Sequence, residues 1–209
     1  MIFTDDKLTA LRECVAKRLS KKRFNHTLRV EAAAVRIAEF CLPESISELR
    51  AAAILHDLTK ELDDKEQFLI MKSFDSLSDA ISPPLYHSIT APAVIKRDFP
   101  EFATENVLSA VYNHTTGAAD MSLFDEIIFI ADYIEDGRTY TSCVEVRDKL
   151  YSSLSLARDR EECIAHLHDA TIMALNNSIT ELVRSGKYLD PRTVMARNAF
   201  LGRRPMPIK

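Results

Sequence analysis

The chain has 209 residues, with 27 basic and 31 acidic side chains and a formal charge of −4. A hydrophobic content of 46% supplies a core for one generous domain or two small ones, and the mildly acidic balance speaks against non-specific nucleic-acid binding, which needs a basic surface. Gly117, Gly137, Gly186 and Gly202 are the only glycines; they spell neither a dinucleotide fingerprint nor a Walker phosphate loop, and their scarcity favours an all-α chain.

In chain order, Leu8, Leu11, Val15 and Leu19 fall at helical spacing and lead into the basic stretch Lys17 to Arg23. Val30, Ala33, Ala34, Ile37 and Cys41 form the next periodic run, which must stop before Pro43. Ser45 and Glu48 have capping-box spacing ahead of Leu49 to Leu55, and Asp63 and Glu66 repeat it ahead of Phe68 to Phe74. Pro83 and Pro84 suit a helix start, and Pro92 predicts a kink or a split in the helix that follows. Thr104 or Glu105 opens a segment reaching His114, and Ser122 with Asp125 opens Leu123 to Ile134. Within the latter, IIFI could be argued as a strand, but its helical surroundings decide against it. Asp159 and Glu162 begin a long amphipathic run that ends at Gly186 as a C′ glycine. Asp190 followed by Pro191 starts a last helix, closed by Gly202, with a loosely held tail beyond. The expectation is one all-α domain over residues 1–209.

Cys14, Cys41, Cys143 and Cys163 are scattered without a CxxC pair, so a disulfide framework or thiolate zinc site is not expected and a reducing cytoplasm suits the chain. The N-terminus carries acids where a secretory signal would carry bases, and no segment is apolar enough to span a membrane.

Chemistry concentrates in a few residues. His26, His56–Asp57, His87, His114 and Asp132 each fall on a different predicted helix or at its end, the way helical bundles assemble metal centres. Asp57 follows the apolar run AAAIL and Asp132 follows IIFIA, and a carboxylate so placed needs a charge partner. Any one of these histidines alone would read as an ordinary hydrogen-bonded residue. Imidazole with carboxylate suits zinc, iron, manganese or nickel better than calcium. Arg23, His26 and Arg29 are three apart and share a helical face, which equally fits a solvated basic surface.

The pattern H26…H56-D57…D132 resembles the signature of the HD superfamily of metal-dependent phosphohydrolases. HTLRV at 26–30, AAILHDLTK at 52–60, His87, NHTTG at 113–117, IADYIEDGR at 130–138 and LDPRTV-x-ARN at 189–198 resemble its YqeK group. Asp136 departs from that group, where proline would be expected, at a turn rather than a ligand. The resemblance implies symmetrical hydrolysis of diadenosine tetraphosphate to two ADP. It implies that His26, His56, Asp57 and Asp132 hold one metal and that His87 and His114, with Asp57 bridging, hold a second. Iron is the implied metal, while the donor set by itself also accommodates manganese, nickel, cobalt or zinc. Catalysis would fall to Asp57 and Lys60. Substrate contacts would come from Arg23, Arg29, Asp57, Lys60, His87, His114, Thr115, Arg138, Arg192, Thr193 and Asn198. For the 190–198 segment, a capped helix packing on the bundle is an equal reading. His166 and His168 match nothing in the pattern and are taken as structural. The implied partners are a dinucleoside polyphosphate and its ADP product, without nucleic acid or membrane, and a homodimer is compatible. Phosphoester hydrolysis on another nucleotide, or a metal-bound nucleotide sensor without turnover, are the alternative functions.

Overall fold

The computed structural model describes residues 3–74 and 82–203, and among these every regular element is helical. The α-helices are α1 (Asp5–Ala16), α2 (Lys21–Cys41), α3 (Ile46–Leu55), α4 (Asp64–Ser73), α5 (Tyr86–Asp98), α6 (Glu105–Asn113), α7 (Leu123–Ile134), α8 (Thr141–Leu156), α9 (Arg160–Arg184) and α10 (Pro191–Gly202). The tail expected to be loose lies, from residue 204 on, outside the described residues.

Caps set most of the boundaries. Reciprocal capping boxes form at Asp63–Glu66 and Ser122–Asp125, so α4 and α7 begin where the spacing predicts. Thr104, Asp159 and Asp190 each accept a backbone N–H at the start of α6, α9 and α10. At the far end of α9, Gly186 takes φ +64° and its N–H reaches Val183 O, while Lys187 N–H reaches Leu182 O. This pair of bonds closes the helix as a Schellman turn, in a conformation only glycine adopts cheaply.

Some expectations need correction. Ser45 makes no capping bond; it ends a 3-10 turn from Pro43, and the Glu48 carboxylate instead accepts from Thr104 and Asn106. Two side-chain donors at the start of α6 outcompete one local backbone N–H. Glu162 likewise folds back onto the backbone N–H of Arg158 rather than that of its N-cap. Pro92 lies inside α5 without splitting it. The sequence reading assigned no helix to the stretch that forms α8, although Cys143, Val146, Leu150 and Leu154 supply a buried stripe there. Its N-cap, Tyr140, makes no side-chain bond, so the usual start signal is missing.

The core is centred on α7, buried from Phe124 to Ala131 and again at Ile134. Each buried Ile or Leu contributes about 1.5–3 kcal/mol relative to exposure, so the isoleucines of α7 alone outweigh any surface ion pair. Helices α2, α3, α6, α8 and α9 all contact α7. Ala51, Ala52 and Ala53 leave α3 thin enough to lie close to its neighbours. His168 of α9, taken as structural, donates to the fully buried Glu126 of α7 at 2.8 Å, and Thr171 donates to the same carboxylate. That pair ties α9 across the core.

Candidate metal centre

Helices α2, α3, α5, α6 and α7 bring their polar residues to one point. His26 sits one turn into α2, His56 caps α3 with Asp57 following, His87 opens α5, His114 caps α6 and Asp132 lies in the last turn of α7. His56 is fully buried, and Asp57, His87 and His114 are 3%, 2% and 3% exposed. Asp132 remains more open, its side chain 19% exposed.

Asp57 is the pivot. Its Oδ2 lies 3.5 Å from His26 Nε2 and 3.3 Å from His56 Nε2. Its Oδ1 lies 3.5 Å from His87 Nε2 and 3.7 Å from His114 Nε2. Asp132 Oδ1 joins the first group, 3.1 Å from His26 Nε2. Three overlapping groups are compact enough for an ion: His26, His56 and Asp57; Asp57, His87 and His114; and His56, His114 and Asp132, so that two of them share the Asp57 carboxylate.

The hydrogen-bond chemistry tests whether a cation fits. His56 Nδ1 donates to Ala53 O at 2.7 Å and His114 Nδ1 donates to Val111 O at 2.6 Å. A carbonyl can only accept, so Nε2 of each neutral ring is left as a bare lone pair facing inward. Yet His56 Nε2 lies 3.3 Å from His26 Nε2, and His87 Nε2 lies 3.2 Å from His114 Nε2. Lone pairs crowded around a buried carboxylate repel unless positive charge sits among them. Divalent transition metals meet that need, and the donor set fits them.

The titration behaviour is mixed. Burial works against a charged His56, but Asp57 and Asp132 outweigh it and raise that ring above the ordinary imidazole value. His87 moves the other way. Burial, with Lys60 and His114 beside it, pushes His87 well below the ordinary imidazole value, so the ring is neutral and able to coordinate. Burial works against the charged form of Asp57, but His56, His114 and His87 outweigh it and hold the carboxyl well below its usual range.

Supporting groups orient these ligands. His26 Nδ1 meets Glu135 Oε1 at 3.2 Å, and Glu135 also accepts from Arg29 and from Gly137 N–H. Glu135 lies inside the 130–138 motif, but sequence reading gave it no role; its position three residues after Asp132, one turn along, was the available signal. Carboxylates behind ligand histidines fix their tautomer and typically change metal affinity 10–100-fold. Glu135→Gln is therefore expected to weaken metal binding by about that factor, with the helix content unchanged; metal titration monitored by calorimetry checks it. After His114, Gly117 takes φ +66°, and a side chain there would press on Ala196 and Met121, so the chain turns away from the centre through a glycine.

The predicted cations divide. Arg23 donates to Asp57 at 2.8 Å, and Arg138 donates to Asp132 at 2.8 Å. Lys60 Nζ lies 3.2 Å from both ring nitrogens of His87, and burial holds its ammonium below the ordinary value despite Asp57 and Asp132. Arg29 is committed to Glu135, which makes it a support for His26 as much as a phosphate clamp. Thr115 Oγ1 lies 3.1 Å from His87 Nε2 and 3.0 Å from His114 Nε2. A cleft of about 660 Å³ opens beside this end of the centre, lined among others by Lys60, Thr115, Thr116, Tyr188, Asp190 and Thr193. Arg192 bonds Asp190 and stacks over Tyr112, while Asn198 is exposed and accepts from Arg197. Neither is among the residues lining that cleft.

An all-α bundle that gathers four histidines and two aspartates at one point has the chemistry of a divalent-metal hydrolase. The HD domain family model matches residues 23–137, more than half of the chain. The chain belongs to the HD domain family. It is 35% identical over 148 residues, 68% of this chain and 75% of its counterpart, to a symmetrical bis(5'-nucleosyl)-tetraphosphatase of Staphylococcus aureus. A protein of the same description from Halalkalibacterium halodurans is 30% identical over 90% of this chain and 94% of its own. A solved structure from Clostridium acetobutylicum, described as a predicted HD superfamily hydrolase involved in NAD metabolism, shares 29% identity with a TM-score of 0.79. The similarity covers 98% of this chain and all of that one.

Proposed function

We propose that the protein hydrolyses diadenosine tetraphosphate symmetrically to two ADP, with residues 1–209 acting as one domain. The observation that carries this reading is the pair of ligand sets on Asp57 with Lys60, Arg23 and Arg138 gathered around the carboxylates. The relatives described as symmetrical bis(5'-nucleosyl)-tetraphosphatases support it. His26, His56, Asp57 and Asp132 would hold one divalent ion and His87, His114 and Asp57 a second, with iron as the proposed metal. Bound there, the ions supply Lewis-acid stabilisation of phosphoryl charge and lower the pKa of water.

The protein groups do the rest. Lys60 beside His87 and Arg138 on Asp132 neutralise the inner phosphates, with Arg23 on Asp57. Thr115 offers a hydroxyl to a phosphoryl oxygen. Water attacks an inner phosphorus opposite the central bridging oxygen, the bond to that oxygen breaks, and each half leaves as ADP. A buried centre excludes bulk solvent and strengthens each of these charge interactions. A cytoplasmic setting suits the four free cysteines.

Product chromatography tests the reading. Diadenosine tetraphosphate should give ADP alone; equal amounts of AMP and ATP would mean asymmetric cleavage and would overturn it.

A further inference from the structure

A second cleft, of about 540 Å³, adjoins the first along α9 and shares Ser178, Glu181 and Lys187 with it. Its other lining includes Tyr133, Tyr140, Ser142, Asn177 and Arg184. The size suits a nucleoside. Its position relative to the centre is the informative point. Tyr133 directly follows Asp132, and Cys143 in the cleft wall feels the charges of Asp132 and Arg138. The first cleft borders Lys60 and Thr115, on the His87–His114 side of Asp57. The second is walled by Tyr133, the residue after Asp132, and by Cys143. The two clefts therefore meet along α9, one reaching the centre at Lys60 and Thr115 and the other running to Tyr133 near the end of α7.

Symmetrical cleavage makes a geometric demand. The middle P–O–P bond must lie at the centre, which leaves one adenosine and two phosphates extending to either side. One cleft can receive only one of these equal arms. Resting on the symmetrical-hydrolase reading above, we propose that the cleft between α8 and the C-terminal half of α9 binds the second adenosine diphosphate arm of the substrate. Tyr140 supplies the base contact: it stands at the start of α8 with 71% of its surface exposed and makes no capping bond. An aromatic ring so placed offers a stacking face to a purine, and stacking needs no particular base edge. Tyr133 forms the inner wall, half-buried, its phenol held beside Ser142 and Asn177. Arg184 and Lys187 are exposed on the rim and offer positive charge to the arm's phosphates.

Because Tyr140 is exposed, Tyr140→Ala removes the stacking face without opening the core. The variant is expected to raise KM for diadenosine tetraphosphate about tenfold, in keeping with the loss of one base–aromatic stack. Its kcat should stay within about twofold and ADP should remain the only product, while Tyr140→Trp restores KM. A Tyr140→Ala KM equal to the parent's would overturn the proposal while leaving symmetrical hydrolysis in place. Calorimetric titration of the metal-loaded protein with ADP gives a readout independent of turnover: two sites per chain in the parent, and one of the two weakened about tenfold in Tyr140→Ala, are expected. A single site in the parent would overturn the proposal. Failure of the hydrolase reading would look different, since the parent would then release no ADP from diadenosine tetraphosphate.

Discussion

Asp57→Asn is expected to strip metal from both ligand sets and to lower kcat by at least about 10³-fold. The side chain keeps its size but loses the charge that both sets share, Oδ2 with His26 and His56 and Oδ1 with His87 and His114. Lewis-acid stabilisation of a phosphoryl group is worth several kcal/mol, and each 1.36 kcal/mol is a factor of ten in rate. The ligands of a single set should behave differently. His87→Ala and His114→Ala should each release about one equivalent of metal and leave the other bound, because His26, His56 and Asp132 remain. Metal analysis of protein purified without oxygen, beside product assays, reads both effects. An unchanged metal-to-protein ratio in His87→Ala and in His114→Ala would reduce the centre to one ion.

Lys60→Met should separate charge from coordination. Methionine keeps most of the stem's bulk and removes the ammonium that lies 3.2 Å from the His87 ring. Metal content should stay the same, ADP binding should weaken modestly, and kcat should fall by on the order of 10²-fold or more, as when a preorganised electrostatic donor is lost. A lysine that merely ends a helical segment would contribute a fraction of a kcal/mol through the dipole, and its replacement would turn over like the parent. Parent-like kcat with unchanged metal would pass the role to Arg138, which already donates to Asp132.

The cluster of histidines and aspartates was legible because its residue types sit in dense local motifs, and because each carboxylate follows an apolar run that fixes its depth. Helices with a side-chain cap and a 3.6-residue stripe were legible for the same local reason, α7 and α9 above all. What the sequence hid was choice among partners. Glu48 had the spacing to cap α3 but found better donors in Thr104 and Asn106, which are 56 and 58 residues away. Arg29 had the spacing to face a phosphate, yet it supports Glu135 behind His26. Helix α8 carries a buried stripe but no start signal, so its existence was written in periodicity alone. Long-range competition of this kind cannot be read from spacing, since the competitor's position depends on the fold.

Helix α8 carries no ligand, yet its Arg147 holds the centre's rim. The guanidinium donates from Nη1 to the carbonyls of Ile134, Glu135 and Arg138, at 3.1, 3.0 and 3.2 Å. Those carbonyls close the exit of α7, where unpaired C=O groups and the negative helix end attract a cation. The turn that aims Glu135 at His26 and Arg138 at Asp132 is thus fastened by a residue ten positions beyond the family-matching segment 23–137. A fragment cut at residue 137 would keep the proposed ligands, His26, His56, Asp57, His87, His114 and Asp132, but lose the fastening. The motif's border and the border of the cooperative unit are different lines on this chain, and minimal versions of the catalyst would have to be cut along the second.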